Sequence, residues 1–125
     1  MTGGPGTGKS TTAAHLFAIM KQSGYSVELV TEYAKEMVWE GRANVLEDQL
    51  YILAKQNRRL DRLRGAVEYA ITDSPLLLGL HYASLSNTTV ETPEKEDLLD
   101  AVRTCILASW NTYTNWSVLL RRKKP

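Results

Sequence analysis

At 125 residues and 43% hydrophobic content, the chain is long enough for a single domain with a real core. A net charge of +1 argues against a general nucleic-acid surface. Four of the 15 basic residues sit together at Arg121, Arg122, Lys123 and Lys124, which leaves 11 basic against 14 acidic residues elsewhere, a mildly acidic body. The single cysteine, Cys105, excludes an internal disulfide and suits a reducing, cytoplasmic setting, and no apolar run is long enough to span a membrane.

The strongest signal comes first in the chain. Gly3-Gly4-Pro5-Gly6-Thr7-Gly8-Lys9-Ser10 fits G-x-x-x-x-G-K-[ST], with Thr11 next, which is the spacing of a loop that wraps a di- or triphosphate such as that of ATP. The glycines let the backbone fold tightly, so that successive amide hydrogens point inward at phosphate oxygens. Lys9 would bring a cation to the β- and γ-phosphates, and the Ser10 hydroxyl would sit on Mg²⁺. The helix that starts here adds the positive end of its dipole. Such a loop normally leaves a buried hydrophobic strand, and here only Met1 and Thr2 precede it. The sequence also stops just past its last predicted strand. The expectation is a piece trimmed at both ends, lacking the first strand and marginal in stability because that central strand is missing from the sheet.

From Lys9 the pattern turns helical. Ala13, Leu16, Phe17 and Met20 recur at i, i+3, i+4 and i+7, and Gly24 marks the stop. Val27-Glu28-Leu29-Val30 alternates as a strand that ends at Thr31-Glu32-Tyr33. A brief helix follows over 34–40 and closes at Gly41. Asn44 with Glu47 reads as a capping box opening a longer helix, whose stripe of Leu46, Leu50, Leu53, Leu60 and Leu63 runs to Gly65. The segment 67–72 is a second strand, closed by Asp73-Ser74-Pro75. Pro75 suits the first turn of a helix over 76–83. A polar loop at 86–92 leads to Thr92-Pro93-Glu94, a cap with proline at the first helical position, and Leu98, Val102, Ile106 and Trp110 carry the core face. The last strand falls at 116–120. Helices alternating with short strands predict an α/β fold, a parallel sheet flanked by helices, as one nucleotide-binding domain over 1–125.

Two carboxylates stand where such a fold places chemistry. Asp73 ends a hydrophobic strand downstream of the loop, so it can help hold Mg²⁺ and orient Ser10; the plain alternative is a helix cap. It is followed by Ser74 rather than a second acid, which counts against a motor-type ATPase that polarises water. Glu32 ends the other strand, and ligands lie outside the carboxyl ends of parallel strands. Glu32 can therefore meet a substrate hydroxyl, or else be a solvated surface residue. Tyr33 and Trp39 read as core, with stacking on a planar acceptor as the alternative. Arg58, Arg59, Arg62 and Arg64 read mainly as solvated, with one of them within reach of the acceptor or the transferring phosphoryl as the alternative. His15 and His81 carry no assigned role, and Cys105 reads as packing.

With the loop, Thr31-Glu32-Tyr33-Ala34-Lys35-Glu36 and Thr72-Asp73-Ser74-Pro75 in view, the chain resembles a known group. These are the P-loop, kinase-like ATPase domains related to the nicotinamide ribonucleoside kinase part of the bacterial NAD-regulating protein; small members occur in phage genomes. The resemblance covers most of the chain. It implies that Gly8, Lys9 and Ser10 bind ATP and Mg²⁺, that Asp73 is the Mg²⁺-side carboxylate, and that Glu32 faces the acceptor. Family members begin with a full strand before the loop and continue into an arginine-bearing lid; this sequence has neither part. The leading expectation is a kinase that moves the γ-phosphoryl of ATP to a hydroxyl of a nucleoside-like small molecule. An ATP-binding module acting on a protein partner and an inactive fragment are the alternatives. A nucleotide and a small-molecule acceptor are the expected partners, with neither membrane nor nucleic acid, and a homo-oligomer stays open.

Overall fold

A computed structural model of the chain describes residues 1–4, 6–85 and 93–121, with side chains described for 1–4, 6–81 and 96–121. Pro5, the loop predicted at 86–92 and the cap at Thr92 lie outside the described residues. The chain forms two compact units. One comprises Met1–Glu32, Arg58–Pro75 and the segment from Trp116; the other comprises Tyr33–Asn57 and Leu76–Asn115.

The first unit is a parallel α/β layer. Helix α1 (Lys9–Gln22) leads into β1 (Val27–Val30), which pairs in parallel with β2 (Tyr69–Thr72), Val27 opposite Tyr69 and Val30 opposite Thr72. The helix ends as its glycine predicts: the Gly24 N–H donates to the Lys21 carbonyl at 3.0 Å, with Gly24 in the left-handed region at φ +86°. Ala13, Val27 and Ile71 form a buried cluster, and Met1, Phe17, Met20 and Leu29 pack against it. Leu16, assigned to the same helix face by periodicity, is 36% exposed. It lies at the margin of a stripe that Ala13, Phe17 and Met20 already fill.

Beside β2 lies the start of the chain. The Met1 nitrogen donates to the Thr72 carbonyl at 2.5 Å. The Thr2 N–H donates to the Val118 carbonyl at 2.9 Å, and the Leu120 N–H donates back to the Thr2 carbonyl at 2.8 Å, a parallel bridge between Thr2 and Leu119. The backbone order across this layer is therefore β1, β2, Met1–Thr2 and 118–120. The strand predicted at 116–120 reduces to that single bridge, and Trp116 is 89% exposed. The second predicted strand also starts later than 67, because the Glu68 and Tyr69 amides both donate to the Ser26 carbonyl before the ladder begins.

The second unit is helical: α2 (Tyr33–Trp39), a 3₁₀ helix (Ala43–Glu47), most of α3 (Gln49–Asp61), α4 (Leu78–Leu85) and α5 (Pro93–Trp110). Its buried apolar residues are Tyr33, Met37, Leu53, Leu76, Val102 and Ile106, the last two fully enclosed. Helices α4 and α5 pack together, and a Cβ at Gly79 would stand 3.5 Å from Ile106 Cδ1. Asn44 does not cap the long helix. It falls inside the 3₁₀ turn, and Asp48 takes the role, its Oδ1 accepting the Tyr51 N–H at 2.9 Å at the third helical position. Pro75 likewise precedes α4 by a turn, with the Gly79 N–H donating to the Leu76 carbonyl. Pro93 is the first residue of α5, as predicted. Cys105 is exposed rather than packed, since it lies off the face that Val102 and Ile106 bury.

Gly3 is the position where a side chain meets the fold most directly. It adopts φ +153°, and a Cβ there would stand 2.6 Å from the Leu120 carbonyl oxygen and 2.8 Å from Thr7 Oγ1. At Gly4 a Cβ meets nothing within 4 Å. Gly3→Ala is expected to lower stability by about 2 kcal/mol in urea denaturation, while Gly4→Ala stays within about 0.5 kcal/mol of the parent.

Candidate functional site

The glycine-rich loop closes on itself. The Thr7 N–H and hydroxyl both donate to the Gly4 carbonyl, at 3.4 and 2.9 Å, and Gly6 and Gly8 hold left-handed backbone at φ +71° and +83°. Gly8 caps α1 without a side chain, and the first turn of the helix contains no acidic residue. The first helical bond runs from the Thr12 N–H to the Gly8 carbonyl at 2.8 Å, so the amides of Lys9, Ser10 and Thr11 belong to the turn that has no intrahelical acceptor. That end of the helix suits an anion. Pro5, expected in the same loop, is outside the described residues.

Lys9 curls over the loop it follows. Its ammonium donates to the Gly3 carbonyl at 2.9 Å and the Gly4 carbonyl at 3.1 Å. The cation is thus held above the turn that would wrap the phosphates.

Ser10 and Asp73, 63 residues apart, are brought together. The Ser10 hydroxyl donates to Asp73 Oδ2. The backbone explains the meeting: Met1–Thr2 lies next to β2, the loop rises from Thr2, and Asp73 follows Thr72 at the same edge. The turn after β2 is fixed by a reciprocal pair, with the Ser74 N–H donating to Thr72 Oγ1 at 3.1 Å and that hydroxyl donating to the Ser74 carbonyl at 3.2 Å. Ser74 itself is buried. The other carboxylate oxygen, Asp73 Oδ1, is buried and has no hydrogen-bond partner among the described residues. Charges gather here: burial pushes the Met1 amine below its usual pKa, the Asp73 carboxylate pulls it up and Lys9 pushes it down again.

The donor set fits a hard divalent cation. An orphaned carboxylate oxygen beside a serine hydroxyl gives two oxygen ligands, and Mg²⁺ accepts a small protein contribution completed by water and phosphate oxygens. Among the described residues, no three His, Cys, Asp or Glu side chains converge to hold a metal by themselves.

Glu32 lies two residues beyond β1 and is half-buried. Because Val30 stands opposite Thr72, positions 32 and 73 both leave the carboxyl edge of the β1–β2 ladder. Tyr33 belongs to the core: it is buried, and its hydroxyl donates to Tyr51 at 3.1 Å, which raises the Tyr33 pKa. Trp39 is not core. It is 73% exposed, with the Lys35 ammonium 5.0 Å from the ring centroid. Six positions apart on α2, the two side chains leave the helix about 120° from each other. Of the four arginines, Arg58 and Arg62 are exposed and Arg64 pairs with Asp61 at 2.5 Å, while Arg59 Nη1 donates to the Thr31 carbonyl at 3.2 Å and hydroxyl at 3.3 Å. His15 and His81 are exposed. Gln56 escaped the sequence reading: 5% exposed, it accepts the Tyr33 N–H at 2.8 Å. The available signal was a polar residue three positions after Leu53, on the apolar stripe of α3.

A family model described as an AAA domain matches residues 1–119, and the chain belongs to that family. The match runs through both units, and it makes the chain a P-loop nucleotide-binding domain of the ATPase and kinase-like class. No curated protein and no solved structure matches the chain. No helix among the described residues is long and apolar enough to cross a membrane.

Removing the ammonium should show directly in nucleotide affinity. A charge-assisted hydrogen bond contributes about 1.5–3 kcal/mol, so Lys9→Ala is expected to weaken ATP binding by roughly tenfold or more in calorimetry. Equal affinities for the two proteins would remove Lys9 from the site.

Proposed function

We propose that this AAA-domain chain is an ATP-dependent small-molecule kinase that moves the γ-phosphoryl group to a hydroxyl of a nucleoside-like acceptor, with nicotinamide riboside the first acceptor to try. The observation that carries the reading is the Ser10–Asp73 pair, with Asp73 Oδ1 buried beside it and unpartnered among the described residues. A carboxylate held by the loop's own serine, with one oxygen left over, suits the metal side of phosphoryl transfer. Ser10 and Asp73 would hold Mg²⁺, which when bound supplies charge neutralisation at the β- and γ-phosphate oxygens. The loop amides and Lys9 bind the polyphosphate and set its register.

Glu32 completes the reading from the acceptor side. Its carboxylate accepts the proton of the attacking hydroxyl, whose oxygen bonds to the γ-phosphorus while the bond to the β–γ bridging oxygen breaks and ADP leaves. Ser74 supports an acceptor hydroxyl over water as the nucleophile. It occupies the position after Asp73, is buried, and is engaged with Thr72, so that position offers no second acid to polarise water.

One observation favours a second reading, an ATPase module acting on a protein partner: the family is described as an AAA domain. The two readings part on ADP production. A kinase needs its small acceptor; a module hydrolyses ATP without one.

Asp73→Asn is expected to cut phosphoryl transfer by roughly a hundredfold while changing ATP affinity much less, because the pair serves the chemistry more than the binding. Glu32→Gln is expected to lower transfer by about a hundredfold with acceptor-independent ATP binding intact. Steady-state ADP release beside calorimetry measures both. Normal transfer by either variant takes that residue out of the mechanism.

A further inference from the structure

Glu32 stands between two residues that one helix holds. On its amino side, Thr31 lies one position past the last ladder pair, Val30 with Thr72. Arg59 Nη1 donates to the Thr31 carbonyl at 3.2 Å and to the Thr31 hydroxyl at 3.3 Å. On its carboxyl side, Tyr33 begins α2, where an amide has no intrahelical acceptor. Gln56 Oε1 accepts that N–H at 2.8 Å. Gln56 and Arg59 are three apart on α3 and share a face.

We infer that Gln56 and Arg59 are positioning residues that fix the backbone on each side of Glu32 and so aim its carboxylate at the acceptor, an inference that rests on the kinase reading of Glu32. Simple satisfaction of backbone groups does not account for Arg59. Thr31 is exposed, and water would serve its carbonyl as well. A planar guanidinium reaching carbonyl and hydroxyl together adds order that water does not supply. That order falls at the carboxyl edge from which Asp73 also departs. A general base held in place before the acceptor arrives loses less freedom at the moment of transfer.

Arg59 carries the test, because removing the buried Gln56 amide would strand the Tyr33 donor and threaten folding. The full chain with Mg²⁺ and ATP is assayed against nicotinamide riboside, adenosine, guanosine, cytidine and uridine. Arg59→Ala is expected to lower kcat by roughly tenfold or more, with ATP affinity and melting temperature unchanged and partial recovery in Arg59→Lys. In a Glu32→Gln background the same change should cost nothing further, since it acts through a carboxylate already gone. Additive losses, or an unchanged kcat, overturn the positioning role while leaving the kinase reading standing. If the parent protein phosphorylates none of these probes, the kinase reading falls, and hydrogen exchange decides the positioning by itself. Exchange over 28–36 should rise in Arg59→Ala with the 1–12 segment unchanged, and equal exchange in both proteins overturns it.

Discussion

The Thr2 backbone donates to Val118 and accepts from Leu120 while the Met1 nitrogen reaches Thr72, and those bonds decide where the glycine loop meets the sheet. They place the root of the glycine loop against the end of β2, so that the first turn of α1 and the residue after Thr72 arrive at one edge. Ser10 and Asp73 meet as a result, although each belongs to a different element. Gly3 must stay bare for the same reason: a Cβ there would run into the Leu120 carbonyl that closes this layer. Register, loop and carboxylate thus form one dependency, and a shift of one residue in the pairing of Met1 with Thr72 would part serine from aspartate.

Inside that arrangement the loop solves an electrostatic problem with the means at hand. A lysine beside a positive helix end would repel it, and the Lys9 ammonium instead sits on two loop carbonyls. Asp73 offsets the positive charge of the helix start through Ser10, yet keeps one oxygen unpaired in a buried place. Leaving such an oxygen without a partner costs about 1–3 kcal/mol. A purely structural carboxylate would be expected to find a donor for it. The turn that carries Asp73 is held by the reciprocal bonds between Thr72 and Ser74.

Much of this was legible because it is local. The loop is a spacing of residue types, and α1, β1 and α2 follow from repeats that contain their own stop signals at Gly24 and Gly41. The start of α3 was not, since Asn44 and Asp48 are both competent caps and the choice between them falls to the packing of the preceding 3₁₀ turn. The segment 116–120 has strand-forming residues, but a strand needs a neighbour along its length, and only Thr2 pairs there among the described residues. Of the candidate residues, Lys9, Ser10 and Asp73 were nameable from sequence; the Asp73 oxygen left unpartnered among the described residues was not, because orphaning is a property of surroundings. Gln56 was hidden for a related reason: a polar residue on an apolar stripe looks like a lapse until the amide that needs it is seen.

The tryptophans carry a consequence for anyone watching this protein unfold by light. The first unit contains Trp116 as its indole, already 89% in water, and the second contains Trp39, 73% exposed with a lysine above its ring, and the half-buried Trp110. Emission from Trp116 has almost no red shift left to make. Intrinsic fluorescence will therefore follow the helical unit through Trp110 and stay nearly silent about the layer that holds the glycine loop.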